Sequence, residues 1–409
     1  MHHRMHRAAR IRLVTGLLCC CSTVALAQEP PPPQDDSRMQ YPVGLANSFV
    51  AVSVGSINYA FSQEQLEPGH HAESIEVPHT AARVVLFGHH FGKYVSVQGA
   101  YMRPVKYVRY RNLNGSDETH TVWMHFGTIT AHARIAVSDR VSLFGEGGLA
   151  ITNRGGFDIG DAPALKDAQF ASPLVGGGIE YRVNRTLDLL VGSSIIPARA
   201  TDHSPATIFT SATLRYTMRP VPAERIAEVK KAGYIFPGNL VQVGYATDAF
   251  GFSVNDFFNE TVPIFWGGDV KVKRSVVSLQ WERNLFHTKK VFALDVGAGF
   301  SEWRSHDSMR FRTLSLFPVL RFTFLRSTAA DMYASFSQAG PTYISRVVID
   351  GLATGSHFTF QDFMALGVFF GPHRRWNLEL NLNHYSNGNL LADNAGVMVP
   401  LALKFGYAF

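Results

Sequence analysis

The chain has 409 residues, a formal net charge of +6, 17% charged residues and 46% hydrophobic residues. Its basic residues are scattered rather than clustered, which argues against a nucleic-acid-binding surface. The mean hydropathy of zero suggests neither a helical membrane bundle nor a disordered chain. The length allows more than one domain, and the 35 glycines and 30 phenylalanines favour short strands over helices.

The N-terminus has the pattern of a signal peptide over residues 1–27. Several arginines precede an apolar run over 13–24, which is too short to span a bilayer, and Ala25-Leu26-Ala27 is a typical cleavage site. All three cysteines, at 19–21, lie in the segment that cleavage would remove, and the leucine before them disfavours lipidation. We therefore expect an exported chain without disulfides. Residues 28–44, which include EPPPPQDD, are predicted to form an extended proline-rich spacer.

The rest of the chain alternates apolar and polar residues with period two. In VSVQGAYM, from Val95, and in the C-terminal segment 397–409, every second residue is apolar or aromatic. About sixteen such segments, separated by Gly, Asn and Asp, are typical of an outer-membrane β-barrel. A soluble β-sandwich alternates as well. Export without cysteines, aromatic strand ends and the terminal Phe409 favour the barrel.

The segments fall into two sets, over residues 45–218 and 238–409. The intervening residues 219–237 contain Pro220 and Pro222, which interrupt strand pairing, and a short charged stretch that is compatible with a helix. The sequence therefore predicts an all-β fold of two tandem eight-stranded antiparallel transmembrane β-barrels. One sixteen-stranded barrel with an insertion is the alternative, because periodicity alone does not define where a sheet closes.

The first set resembles the OmpA-like family of small outer-membrane barrels. The segments that carry the resemblance are FGHHFGKYVSVQGAYMRP, VSLFGEGGLAI and SPLVGGGIEYRVNRTLDLLVG, and it covers most of residues 45–218. That family includes adhesive and structural proteins, so the resemblance implies a fold and a structural or partner-binding role. It does not imply a reaction.

The histidine pairs do not predict a metal site. Adjacent residues on a strand point to opposite faces and cannot easily share an ion. We expect these pairs, together with two single histidines, to lie in loops and at barrel rims, and we expect no metal or cofactor. The residues concerned are His70, His71, His89, His90, His79 and His125.

The stretch WNLELNLNHYSNGN, from Trp376 to Asn389, places a histidine and a serine on an otherwise apolar face. His384 and Ser386 share parity with three leucines, so in a barrel they project from the outer wall near the end of the strand. Residues two apart on a strand are separated by about 7 Å, which lets the imidazole lean towards the hydroxyl. An exposed pair of this kind suits attack on a lipid ester, with His384 as general base and Ser386 as nucleophile. The plainer interpretation is a pair of polar residues where a strand leaves the bilayer.

The wider context resembles the lipid A 3-O-deacylase family of the PagL type. LNHYSNGNL and DNAG, preceded by ALDVGAGFSEW, TLSLFPVLRFTF, MYASFSQAG and FTFQDFMALGVFFG, carry this resemblance over most of residues 238–409. It implies an outer-membrane esterase that removes the 3-linked acyl chain of lipid A in lipopolysaccharide, with no cofactor. By position, His384 matches the catalytic histidine and Ser386 the nucleophile, and Asn387 with Gly388 would hold the oxyanion. Whether such a protein forms a homodimer stays open.

The expected acid of the triad is missing. In the family it is a glutamate at the start of the last strand, where this chain has Met398 or Val399. Asp362, the lone carboxylate on the apolar face of the preceding strand, is the candidate substitute if the two strands are in register. Asp393 is a weaker candidate. Without an acid, the second set would form a non-enzymatic structural or interaction barrel with a degenerate site.

Outer-membrane phospholipase A offers a further alternative, because it also carries an H-x-S-N-G stretch, which HYSNG satisfies. In that enzyme the motif lies in mid-barrel, with many strands after it. Here only 23 residues follow Ser386, enough for one turn and one strand. The position of the motif favours the deacylase.

Overall fold

The computed structural model describes residues 36–232, 234–251, 268–288, 290–391 and 393–409. The predicted signal peptide and the first part of the predicted spacer lie outside the described residues. The first half of the chain forms a closed antiparallel barrel, in which β1 pairs with both β3 and β12. Its eight strands are β1 Ser48–Tyr59, β3 Thr80–Phe91, β4 Val95–Pro104, β6 Thr119–Ala136, β7 Val141–Gly155, β10 Ala168–Arg182, β11 Leu187–Ile196 and β12 Thr207–Thr217.

The second half forms another closed barrel, in which β13 pairs with both β14 and β23. Its eight strands are β13 Asn239–Ala246, β14 Val270–His287, β15 Phe292–Ser305, β16 Arg310–Arg326, β17 Ala330–Ile344, β20 Phe358–Phe370, β21 Trp376–Ser386 and β23 Ala402–Ala408. Each sheet closes on itself, which confirms two eight-stranded barrels. The alternative of one sixteen-stranded barrel is wrong.

The connections between the barrel strands contain short strands, 3-10 turns and one helix. The short strands are β2 Ala72–Glu76, β5 Val108–Leu113, β8 Phe157–Ile159, β9 Ala162–Leu165, β18 Val348–Ile349, β19 Leu352–Ala353 and β22 Val397–Met398. The 3-10 turns are Asp36–Met39, Val43–Leu45, Gln63–Gln65, Ala200–Asp202, Asp248–Phe250 and Pro372–Arg374. The linker between the barrels contains the helix α1 Ala223–Ala232, which begins directly after Pro222, as the helix-compatible composition predicts.

The two ends of each barrel differ. At one end the strands are joined by tight turns such as 92–94 and 327–329, and at the other end by longer connections such as 60–79 and 387–401. Outer-membrane barrels have short periplasmic turns and longer extracellular loops, so the long-loop end corresponds to the cell exterior. Near the short-turn end of the outer wall, Trp376 stacks on Phe405 and makes an edge contact with Tyr407, as in an interfacial aromatic girdle.

The outer walls are apolar. Large aliphatic side chains at alternate positions are exposed on both barrels, among them Ile129, Leu149, Leu316 and Leu366. A soluble monomer does not expose apolar surface on this scale, whereas a barrel in hydrocarbon requires it. Within the described ranges, no helix combines the length and the hydrophobicity needed to cross a bilayer.

The barrel interiors are filled with paired charges rather than open channels. In the first barrel, Arg83 binds both oxygens of Glu146, at 2.5 and 3.2 Å. In the second, Arg321 forms ion pairs with Glu282 and Asp295. Towards the long-loop end the filling becomes apolar, with clusters that include Tyr110 and Phe126 in the first barrel and Trp303, Phe311 and Tyr385 in the second. Paired charges and apolar clusters thus occupy much of the interior of both barrels.

The N-terminal segment joins the barrels at the short-turn end. The ring of Tyr41 stacks on Phe286 of β14 at a centroid distance of 3.8 Å. Its hydroxyl forms a hydrogen bond of 2.8 Å with the hydroxyl of Tyr216 on β12. Arg38 donates to the carbonyls of Phe236 and Pro237 beside the second barrel. One short segment thus binds both walls.

Replacement of Arg321 by methionine is expected to destabilise the second barrel by about 3–5 kcal/mol, because Glu282 and Asp295 would remain buried without their partner. Urea unfolding of the refolded protein in lipid vesicles, followed by tryptophan fluorescence, measures this loss. Arg140→Met, at an exposed turn, is the matched control and should leave the unfolding midpoint near the wild type. A loss below about 1 kcal/mol for Arg321→Met would contradict the role of this network.

Candidate functional site

The candidate site lies on β21 at the long-loop end of the second barrel. Inward positions of this strand carry polar residues and the buried Tyr385, whose hydroxyl accepts from Thr313 at 3.2 Å inside the barrel. Outward positions carry Trp376 and three leucines, followed by His384 and Ser386. The strand ends at Ser386. The two candidate residues therefore share the outward face, close to the level at which the strand leaves the membrane.

Asp362 on β20 lies directly opposite His384 in the antiparallel ladder. Directly opposite residues point to the same face of a sheet, so both side chains project outward. The Oδ2 atom of Asp362 lies 3.5 Å from Nδ1 of His384. That separation is an ion-pair distance, longer than the about 2.7–3.2 Å of a formed hydrogen bond, and catalytic hydrogen bonds often tighten only when substrate binds.

A β-bulge in the neighbouring strand holds the other oxygen of Asp362. The register between β17 and β20 shifts between Ser337 and Gly340, and Ala339 adopts a positive φ of 54°. As a result, the backbone N–H of Ala339 donates to Oδ1 of Asp362 at 2.7 Å. This hydrogen bond holds one carboxylate oxygen and so fixes the rotamer of Asp362. Bulges commonly redirect backbone or side chains next to functional sites.

Met398 occupies the opposite flank of His384. The short strand β22 pairs with β21 so that Met398 faces His384 across the ladder. Its side chain packs with Leu382 and Leu401. Of the two positions at which the sequence resemblance leads one to expect a glutamate, Met398 and Val399, the first thus lies beside the imidazole but holds a thioether. Asp393, the weaker candidate acid, lies in the loop after β21, where its carbonyl accepts from the Asn387 side chain.

The expectation that the His–Ser pair is exposed is wrong for the histidine. His384 has an exposed fraction of 0%, whereas Ser386 is half-buried. Met398 covers one side, and the outer wall of the first barrel approaches from another, where Tyr101 on β4 lies close enough to Asp362 to interact electrostatically with it. No pattern in the sequence around His384 predicts this cover, because it comes from the separate barrel.

Asn387 and Gly388 begin the loop that follows the strand. The backbone N–H of Asn387 donates to the side chain of Asn394 at 2.9 Å, and its Nδ2 donates to the carbonyl of Asp393 at 2.8 Å. Its Oδ1 is buried and accepts no hydrogen bond from the described residues. Gly388 has a φ of +66°, a left-handed conformation that suits glycine. The strand break before Asn387 removes it from the inward parity that a continued strand would impose.

The described ranges hold no cluster of three or more metal-ligating side chains. His89 and His90 point to opposite faces of β3, where His89 contacts the Ser48 hydroxyl at 3.0 Å and His90 lies against the ring of Phe49. His125 differs from the expectation of a rim residue. It occupies an outward position in the middle of β6, yet it is buried and surrounded by aromatic rings.

A protein-family model matches most of the second barrel. Residues 267–399 match the family model for lipid A 3-O-deacylase (PagL). The match includes Asp362, His384 and Ser386 and ends next to Met398. It covers most of the second barrel, which is therefore a PagL-like outer-membrane barrel.

Solved outer-membrane structures resemble parts of the chain. The outer-membrane enzyme PagL is 16% identical, with 41% of this chain and 97% of that chain covered and a TM-score of 0.29. Neisserial surface protein A is 14% identical, with coverages of 42% and 97% and a TM-score of 0.28. The N-terminal β-barrel domain of Pseudomonas aeruginosa OprF is 11% identical, with coverages of 42% and 98% and a TM-score of 0.27. No curated protein matches the chain. Similarity at this level carries no argument about activity.

Proposed function

We propose that the second barrel is a serine esterase that removes the 3-O-linked acyl chain of lipid A in the outer leaflet. The observation that carries this proposal is the cross-strand alignment of Asp362 with His384, two residues before Ser386, on the outward face. Polar side chains on the outward face of a barrel wall destabilise the barrel, so their presence there favours a functional role. The match of residues 267–399 to the deacylase family supports the same reaction.

In the proposed reaction, Oγ of Ser386 attacks the ester carbonyl while Nε2 of His384 takes the hydroxyl proton. The tetrahedral oxyanion collapses, and the imidazolium returns its proton to the departing sugar oxygen. A water molecule, deprotonated by the same imidazole, then hydrolyses the acyl-serine and releases the fatty acid. Asp362 would keep the proton of the neutral imidazole on Nδ1, so that Nε2 is free to act as base. The second Nδ2 proton of Asn387 and the backbone N–H of Gly388 would be the donors to the oxyanion, because the backbone N–H of Asn387 already donates to Asn394.

The position of the site fits a lipid ester. Ser386 lies half-buried at the long-loop end of the barrel, on the outward wall beside the contact with the first barrel, so an acyl chain can remain in the adjoining hydrocarbon while its ester reaches the hydroxyl. For the first barrel we propose a structural or partner-binding role, with residues 45–218 and 238–409 as separately folding domains and 219–237 as the linker between them.

Lipid A from cells that express the wild type is expected to lose one 3-linked acyl chain, and lipid A from cells that express Ser386→Ala is expected to keep it. Mass spectrometry of the extracted lipid A measures the difference. The serine is needed for the acyl-enzyme, and alanine at this outward position should not disturb the barrel. Identical spectra would support the non-enzymatic alternative. Release of fatty acid from phospholipid, with lipid A intact, would instead favour the phospholipase.

Asp362→Asn is expected to lower kcat by about 10³- to 10⁴-fold, because an amide in place of the carboxylate favours the wrong tautomer of His384. Met398 flanks the same imidazole from the opposite strand, so Met398→Glu in the Asp362→Asn background should recover part of the loss. Deacylation of purified lipopolysaccharide in detergent gives the rates.

Met398→Gln in the Asp362→Asn background is the control for this experiment, since it adds a polar side chain of similar size without a charge. Rescue by glutamate alone would support the need for an acid beside His384. An Asp362→Asn enzyme as active as the wild type would exclude Asp362 from the proposed triad.

A further inference from the structure

Three polar side chains interrupt the apolar outer wall of the first barrel. His125 on β6 lies directly opposite Asn153 on β7, which in turn lies directly opposite Gln169 on β10. All three occupy outward positions and form one row across neighbouring strands at the long-loop half of the barrel. We call them the polar row. A polar side chain facing hydrocarbon is unfavourable, so such a row requires partners.

The partners are backbone groups of the second barrel. Asn153 donates through Nδ2 to the carbonyl of Asn389, and the same nitrogen lies 3.4 Å from the carbonyl of Leu391. Gln169 donates through Nε2 to the carbonyl of Leu390 at 2.7 Å. His125 interacts with the backbone of Gly388. The polar row therefore contacts four consecutive residues, 388–391, of the loop that begins after Ser386.

The packing at this contact is complementary in shape. The side chain of Leu390 lies over Gly127 of β6, where a Cβ atom would come within 2.8 Å of a Leu390 methyl group. A larger residue at 127 would displace the leucine, so glycine forms a notch for it. On the other side of the loop, Tyr101 lies 3.6 Å from the position that a Cβ of Gly388 would take.

The loop needs such support. Gly388, Asn389 and Asp393 all have positive φ, which for asparagine and aspartate is a sparsely populated conformation that the surroundings must maintain. Asn387 and Gly388, the residues assigned to the oxyanion, belong to this loop. A shift of about 1 Å in groups that position a reacting centre can cost about 10²-fold in rate.

We propose that the polar row is a positioning device for the esterase: by holding residues 388–391, the first barrel fixes Asn387 and Gly388 beside Ser386. This inference rests on the proposed lipid A deacylase function and assigns the first barrel a part in it. Asn153, Gln169 and His125 act through the loop and do not touch the ester. The active enzyme is then a two-barrel unit rather than one barrel with an inert companion.

A crosslink tests the contact without reference to activity. A Cβ atom at position 127 would lie 3.8 Å from Cγ of Leu390. In a cysteine at position 390, the sulfur atom would take the place of that Cγ. We therefore expect Gly127→Cys and Leu390→Cys together to form a disulfide. After cleavage at a protease site inserted in the linker 219–237, the two halves should stay joined on a non-reducing gel and separate on reduction. Gly145→Cys with Leu390→Cys is the control, because Gly145 faces open space. Separate halves for the 127–390 pair would overturn the inference, whatever the lipid A result.

Kinetics test the positioning role in the full-length enzyme. Asn153→Asp with Gln169→Glu exchanges two N–H donors for carboxylates of equal size that repel the loop carbonyls. We expect kcat on lipopolysaccharide to fall by about 10- to 100-fold with KM close to the wild type. Heat-modifiable migration, which reports on barrel folding, should not change. Ser193→Ala, which removes an exposed hydroxyl that pairs with Thr210 on the first barrel, should keep full activity.

The outcomes separate the two proposals. The positioning role would be overturned if kcat were unchanged in the double variant, or if kcat fell only together with the heat-modifiable migration of the folded barrel. Neither result would contradict the proposed esterase. An inactive wild type would overturn the proposed function and the positioning role with it, and the crosslink would still decide whether the first barrel holds the loop.

Discussion

The closed hydrogen-bonded sheet imposes one constraint on which the rest of the molecule depends: side chains alternate between lipid and interior. In hydrocarbon, every backbone polar group must pair within the sheet, so the strands cannot slip without turning polar residues outward. Leucines and aromatics follow this alternation on both outer walls. The exceptions are therefore informative. Among them, Asp362, His384 and Ser386 lie on the second barrel, and the polar row lies on the first.

The polar groups on the two outer walls lie close to each other. The loop after Ser386 lies against the polar row, and Tyr101 of the first barrel lies near Asp362, so the polar groups of one outer wall are covered by the other. The ionic networks inside the barrels, such as Arg321 with its two carboxylates, make the strands that carry these groups rigid supports. Sites on rigid elements hold their geometry better than sites on loops, and the only loop in the proposed machinery is the one that the polar row holds.

Local periodicity was sufficient to predict the strands and the outward parity of His384 and Ser386, because alternation is a property of each strand alone. The division into two barrels rested on the interruption at Pro220 and Pro222, because periodicity does not define where a sheet closes. Asp362 lies opposite His384 because of the register between β20 and β21. That register could not be predicted from the sequence, so Asp362 could be named only as a conditional candidate. The bulge that brings the Ala339 N–H to Asp362 has a sequence signal in Gly340-Pro341, because glycine and proline inside a strand often mark a bulge, but that signal does not show which side chain the bulge contacts. The burial of His384 could not be predicted, because it arises between strands that are distant in the chain. An asparagine or glutamine at an outward position, such as Asn153, was the one available sign of that contact.

Covalent labelling of the nucleophile tests the central claim most directly. The full-length protein in outer-membrane vesicles would be treated with a long-chain alkyl fluorophosphonate, and peptide mass spectrometry would locate the adduct. The account predicts labelling on Ser386 in the wild type and little or none in His384→Asn, because the hydroxyl needs the imidazole to lose its proton. Labelling elsewhere, or equal labelling of Ser386 in both proteins, would contradict it.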